Sequence, residues 1–221
     1  MKEKPILFNT EMVKAILEGR KTQTRRVIKD KDIINRFDID VDGKPIAYIN
    51  QATGESYKPT DLCRYQPDDI LWVRETWAQI CNDGEPPYYE YYADTGSRLP
   101  GEWPEEEKEY TLLRWRPSIH MPREAARIFL KVTGARVERV QNITEEDAIA
   151  EGIESFAITD ATLRPTKHKV YGNTCKDTAR EAFAGLWDGI YLEKMSGWHD
   201  NPWVWVVNFI VTGKQIGRAH V

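Results

Sequence analysis

Cysteine is scarce in this chain, and so is any apolar run long enough to cross a bilayer. Cys63, Cys81 and Cys175 are the only three cysteines among 221 residues. They are odd in number and widely spaced, with no Cys-x-x-Cys pair and no Cys/His cluster at zinc spacing. That argues against a disulfide framework or a zinc site and favours reduced thiols in a cytoplasmic protein. The opening MKEKPILFNTEM holds too short an apolar stretch for a signal peptide. No segment approaches the roughly 20 apolar residues of a membrane span, so no membrane partner is expected. A charge excess of one sign is also missing. Acidic residues number 35 and basic residues 31, for a net charge of -4, which leaves no global basic field to gather nucleic acid. Neither a metal nor a cofactor is expected.

Aromatic residues, by contrast, are plentiful, with eight Trp, ten Tyr and six Phe to build a core. Local patterning predicts many short strands and few helices. Pro5 to Phe8 suits a first strand. Asn9 or Thr10 caps a helix carrying Met12, Val13, Ala15, Ile16 and Leu17 at helical spacing, and Gly19 stops it. Lys21 to Ile28 reads as the second strand. Ile46 to Ile49, Ile70 to Trp77, Ile128 to Val140 (one or two strands around Gly134) and Trp203 to Phe209 follow. Thr144 opens a short helix with Asp147 at capping-box spacing, ending at Glu151-Gly152, and Thr178 to Trp187 forms another helix. Polar stretches near 29–66, 82–109 and 154–175 read as insertions in a single domain over 1–213, the second of them as a surface lobe. Residues 214–221 read as a non-native tail, which sets His220 aside. The fold class expected is α+β, a mostly β barrel with a few flanking helices.

Several segments carry more than fold. Gly19-Arg20-Lys21-Thr22-Gln23-Thr24-Arg25-Arg26 fits a G-x-K-T-x-T-x-R pattern. Asp69-Ile70-Leu71 fits a G-D-x-L strand, with Asp68 in the place of the glycine. Ile143 to Gly152 fits the helix that follows the central strands. In this order and spacing the segments resemble the ASCH family of PUA-like proteins, over Pro5 to about Val211. Pro117 to Arg123 and Asn201 to Val206 look like a longer phage- and prophage-associated branch. Small bacterial members of the family remove the acyl group from N4-acetylcytidine. The resemblance therefore implies an amidohydrolase acting on a small modified nucleoside, with Thr24 as nucleophile, Lys21 as proton acceptor and Glu151 as proton donor. Arg25 stands where those small hydrolases carry an apolar residue.

Such a set suits amide hydrolysis. A threonine hydroxyl is inert at neutral pH until a base takes its proton. Lysine is that base only if burial or nearby positive charge lowers its pKa, and Arg20, Arg25 and Arg26 are its sequence neighbours. The leaving amine needs a proton, and the negative end of a helix dipole at Glu151 opposes the ionised carboxylate. Residues three apart on a strand face opposite sides, so Lys21 must lie in the turn after Gly19 to meet Thr24. Taken alone, basic residues just past a helix end simply offset its dipole.

Arg26, Arg74, Glu75 and His120 are the expected substrate-binding residues. A structural ion pair is an equal reading for Arg74 with Glu75, and a lone histidine such as His120 is more often a packed, hydrogen-bonded residue than an acid or base, with its motif context the reason for a cleft role. PUA-like folds often bind RNA, so an RNA-binding module or a ribonuclease is the alternative, with RNA as partner. An open basic groove past Arg25, Arg26 and Arg123 would mark that alternative, with a tryptophan stacking on a base. A closed, pyrimidine-sized pocket around Lys21, Thr24 and Glu151 would mark the hydrolase.

Overall fold

The computed structural model describes residues 1–29, 37–41, 43–50, 52–80, 88–95, 114–157, 166–169 and 175–214. In chain order the elements begin with β1 (Glu3–Leu7), α1 (Thr10–Leu17), β2 (Gln23–Val27), β3 (Phe37–Ile39), β4 (Pro45–Ile49) and β5 (Ser56–Tyr57). β6 (Ile70–Arg74), β7 (Trp77–Ile80), β8 (Tyr88–Tyr91) and α2 (Tyr92–Thr95) follow. The chain then forms β9 (Ile128–Arg139), α3 (Glu145–Ala150), β10 (Glu154–Ala157) and β11 (Thr166–Lys169). β12 (Cys175–Lys176), α4 (Ala179–Tyr191) and β13 (Trp203–Lys214) complete it. The class is mixed α+β, as the patterning predicts. The chain divides into two compact units, and β9 and β13 each contribute residues to both.

One unit comprises Met1–Leu17, Asp69–Lys131 and Val211–Val221. β1 runs parallel to β6 with Ile6 opposite Val73, and β6 runs antiparallel to β9 with Leu71 opposite Leu130. Alternation turns Ile6, Leu71, Val73, Ile128 and Leu130 inward, and all five are buried. Each such side chain contributes roughly 1.5–3 kcal/mol. Asn9 caps α1 by accepting the Met12 N–H at 2.8 Å, and Met12, Val13, Ala15 and Ile16 form its buried face.

The strand expected to reach Trp77 is two strands. β6 stops at Arg74 because Glu75 turns inward to a forked pair with Arg127, at 2.9 and 3.0 Å. β7 then pairs antiparallel with β8, and Trp77 and Tyr91 join Met121, Ala125 and Ala126 in a buried cluster. Within the stretch expected as a surface lobe, residues 88–95 are described and Tyr91 is packed, and the rest of 82–109 lies outside the described residues. β13 continues through Thr212 to Lys214, past the point where the apolar pattern stops, and Thr212 Oγ1 donates to the Phe129 carbonyl at 3.2 Å. The remainder of the tail lies outside the described residues.

The other unit comprises Glu18–Asp68 and Val132–Ile210. β13 pairs antiparallel with β2, placing Val207 opposite Thr24, Val206 opposite Arg25 and Trp205 opposite Arg26. β2 is the last strand in its sheet order. The stretches near 29–66 and 154–175 carry small sheets of their own, β3-β4-β5 and β10-β11-β12. Ile28, Phe37 and Trp203 form a buried cluster, with the Phe37 and Trp203 rings edge to face at 5.8 Å. Thr178 caps α4 by accepting the Glu181 N–H at 3.1 Å, and the helix runs one turn past the expected end at Trp187. In neither unit does the strand order close into a barrel among the described residues.

Gly19 has φ +79°, a left-handed conformation, and a Cβ built there meets nothing within 4 Å. Gly19→Ala is expected to lower the unfolding free energy by about 1–2 kcal/mol through backbone strain alone. Urea denaturation measures this, and a variant as stable as wild type contradicts it.

Candidate functional site

Two left-handed glycines deliver the site's side chains. Gly19 lets the chain turn out of the α1 region, so that Arg20, Lys21 and Thr22 form a short irregular run before β2. Lys21 is therefore outside the strand alternation that would set it against Thr24. Across from this run, Thr144 accepts the Asp147 N–H at 3.1 Å and starts α3 at the spacing read from the sequence. Glu151 closes that helix as its C-terminal cap, and Gly152 at φ +98° turns the chain away. The end of α3 is fastened beside β2. The Thr22 N–H donates to the Ala150 carbonyl at 2.8 Å, and Gln23 Nε2 donates to the Asp147 carbonyl at 2.6 Å.

Lys21 and Glu151 meet directly. Lys21 Nζ donates to Glu151 Oε2 at 2.7 Å and to the Glu151 main-chain carbonyl at 2.8 Å. The second carboxylate oxygen, Oε1, accepts from Arg25 Nη1 at 3.1 Å. Arg25 also reaches Glu138 Oε1 through Nη2 at 2.5 Å and Asp147 Oδ2 at 2.8 Å. Arg136 bridges the same two acids from its side, at 3.0 and 2.5 Å. Thr24 is held differently: its Oγ1 accepts from Arg26 Nη1 at 2.7 Å. Lys21 and Thr24 are each 1% exposed, Arg25 2% and Glu151 3%, so water screens these charges little.

Burial pushes the Lys21 amine below the usual lysine range. The Glu151 charge opposes that shift, and Arg26 and Arg25 add to it. Burial works against the Arg25 cation too, but Glu151, Glu138 and Asp147 overcome it and raise its pKa. Asp147 feels a burial penalty that the charges of Arg25 and Arg136 outweigh, which holds its carboxyl below the ordinary value. Breaking a buried pair of this kind costs about 3–5 kcal/mol, because the surviving partner stays charged and dry.

No protein-family model, curated protein or solved structure matches the chain.

Of the expected site residues, the structure brings Lys21 and Glu151 into contact and places Arg26 on Thr24. Arg74, Glu75 and His120 belong to the other unit. There Glu75 pairs with Arg127, and Arg74 Nε donates to the Met121 carbonyl at 3.1 Å with its guanidinium over the Trp72 ring. His120 is exposed in a short 3-10 turn, Ser118–His120, so it is not a packed residue.

Sequence reading missed Glu138, Asp147 and Tyr191. Tyr191 ends α4, and burial raises its pKa while the charges of Arg26 and Glu151 act on it in opposite directions, which puts its hydroxyl within range of both. Its spacing of four from Trp187, itself four from Phe183, was the available signal. A cleft of about 480 Å³ lies in the same unit, with Arg136, Glu138 and Asn142 along one side and Pro45, Pro59 and Trp203 among its apolar lining. Trp203 is only 3% exposed and so offers little face for stacking. Among the described residues no three His, Cys, Asp or Glu are gathered as a metal would need, and no helix is long and apolar enough to cross a membrane.

The Lys21 shift has a consequence for stability. An unfolded chain keeps the Lys21 proton up to about pH 10.4, whereas the folded site releases it at lower pH. Across that interval the unfolded state binds more protons, so stability rises with pH. The unfolding free energy of wild type minus that of Lys21→Met is expected to grow from neutral pH toward about pH 10. A flat or falling difference in urea titrations contradicts the burial argument.

Proposed function

We propose that this chain is an amidohydrolase that removes the acyl group from N4-acylated cytidine or a related cytosine-type nucleoside, built on a PUA-like ASCH fold. The observation that carries the reading is the buried Lys21–Glu151 contact at 2.7 Å, with the Lys21 amine below its usual range. A lysine whose ammonium form is disfavoured by burial is a better base than an exposed one, and Thr24, three residues on, is the hydroxyl it would serve. Arg26 on Thr24 Oγ1 favours the alkoxide that attack requires. Because Thr24 is sealed, substrate reaches it as Arg26 moves from the hydroxyl to the acyl carbonyl, where its charge stabilises the oxyanion. Lys21 takes the Thr24 proton as Oγ1 bonds the acyl carbon, Glu151 gives a proton to N4 as the C–N4 bond breaks, and water then hydrolyses the acyl-threonine, giving one proton to Glu151 while Lys21 returns its own to Thr24 Oγ1.

The RNA reading has less to stand on. Arg25 is buried against three carboxylates, and Arg123 is paired with Glu3 at 2.8 and 3.1 Å, so neither is the bare cation a phosphate groove needs. The near-neutral net charge points the same way, toward a small molecule.

The test is the loss of N4-acetylcytidine absorbance on conversion to cytidine. Wild type is expected to turn it over, with Lys21→Ala, Thr24→Ala and Glu151→Gln each reducing kcat/KM by about 10²-fold or more while remaining folded. Near wild-type activity in any of the three overturns the assignment.

A further inference from the structure

The cleft of about 480 Å³ has the size of a small-molecule pocket, roughly 300–1,000 Å³. Much of its wall comes from three places in one unit. Lys44 and Pro45 lead into β4, Pro59 and Thr60 open the 3-10 turn Pro59–Leu62, and Arg136 and Glu138 lie near the end of β9.

The polar groups of this wall do not cancel among themselves. Glu138 is matched, accepting from Arg25 on Oε1 and from Arg136 on Oε2. Arg136 places Nε on Glu138 and Nη2 on Asp147, and its Nη1 makes no hydrogen bond among the described residues, with the side chain 38% exposed. Lys44 is held to Asp40 through its main-chain N–H and carbonyl, and its ammonium has no ion pair among the described residues. The Thr60 carbonyl accepts from Cys63 and Gln66, whereas the Thr60 hydroxyl and the Asn142 side-chain amide have no hydrogen bond among the described residues. Two cations and two neutral donors therefore line one space. An anion answers to all four, and a phosphate, with three acceptor oxygens on one centre, fits that number of donors better than a carboxylate with two.

The rest of the wall is apolar, and a bare ion would leave it wet. Pro45, Pro59 and Val137 offer a surface for a flat ring. Trp203 is engaged elsewhere, with the Arg139 guanidinium over its ring at 4.3 Å and Phe37 edge to face at 5.8 Å.

We propose that this cleft binds a ring-bearing organic phosphate of mononucleotide size, its phosphate held by Lys44 and Arg136 and its ring against Pro45, Pro59 and Val137. The site stands on its own charges and lining, so it holds whether or not the chain hydrolyses N4-acylated cytidine.

Isothermal titration calorimetry of the full chain at low salt compares cytidine monophosphate, phenyl phosphate, cytidine and inorganic phosphate. At least one of the two ring phosphates is expected to bind about tenfold or more tighter than either cytidine or inorganic phosphate, and to weaken as salt is raised. The tighter of the two identifies the ring. Lys44→Met removes an exposed charge outside the buried ion-pair cluster and is expected to weaken that ligand about tenfold without changing stability, with Lys44→Arg restoring most of the loss. Arg136→Lys is expected to weaken it as well, and the Lys44 pair supplies the comparison should the Arg136 variant fail to fold. Main-chain amide shifts on binding are expected to be largest at Gly43, Lys44, Thr60 and Asn142. Failure of every ligand to bind overturns the proposal, and so does cytidine or inorganic phosphate binding as tightly as both ring phosphates. Full-strength binding by Lys44→Met, or shifts centred on Thr24 and Glu151 instead, overturns it too. None of these readouts needs turnover, so an inert wild type contradicts the hydrolase reading and leaves this test intact.

Discussion

A carboxylate with a lysine on one oxygen and an arginine on the other, all three closed off from water, governs the unit that holds the candidate site. Taking such charges out of water costs several kcal/mol apiece, and only close pairing with full hydrogen bonding offsets it. The pairing found here is balanced. Lys21, Arg25 and Arg136 stand against Glu138, Asp147 and Glu151, three cations to three anions. Buried ion pairs are weak evidence for stability, since apolar residues of similar volume often do as well. The worth of this cluster lies in what it arranges.

Backbone geometry makes the arrangement possible. A lysine on the strand itself would follow the two-residue alternation and point away from Thr24. Gly19 ends the helical region early enough for Lys21 to precede β2, outside that alternation. The α3 helix then supplies Glu151 at its cap and Asp147 one turn earlier, both reaching Arg25. One short helix end and the run leading into β2 thus provide the carboxylate, the lysine and the arginine, joined by the Thr22 main-chain N–H and the Gln23 side-chain amide, each donating to a main-chain carbonyl of α3.

Much of this was legible in the sequence, and the part that was not has a physical reason. Thr144 with Asp147 announced the α3 cap, Gly19 announced the turn, and the alternation of β13 announced its strand, because each is a local rule. The set Lys21, Thr24 and Glu151 came from motif resemblance, since no local rule ties residue 21 to residue 151. Arg25 was the largest miss. In a run of basic residues past a helix end it reads as a solvated charge, and nothing local to it marks the carboxylates it would meet. Its acidic partners lie 113, 122 and 126 residues away in sequence, on β9, on α3 and at the cap of α3. Glu75 was misread for the same reason, its arginine being Arg127, 52 residues on, and not its neighbour Arg74. Among the described residues the expected barrel does not close, because strand patterning predicts strands and says little of register. Several short strands pair locally into small sheets of their own.

The central claim is that Thr24 accepts the acyl group beside a buried lysine base. Acid quenching of the protein during turnover of N4-acetylcytidine, followed by peptide mass spectrometry, tests it most directly. The account predicts an acetyl group on Thr24 in wild type and none in Lys21→Ala. Steady release of cytidine with no acetyl on Thr24, or with the acetyl on Lys21 instead, would contradict it.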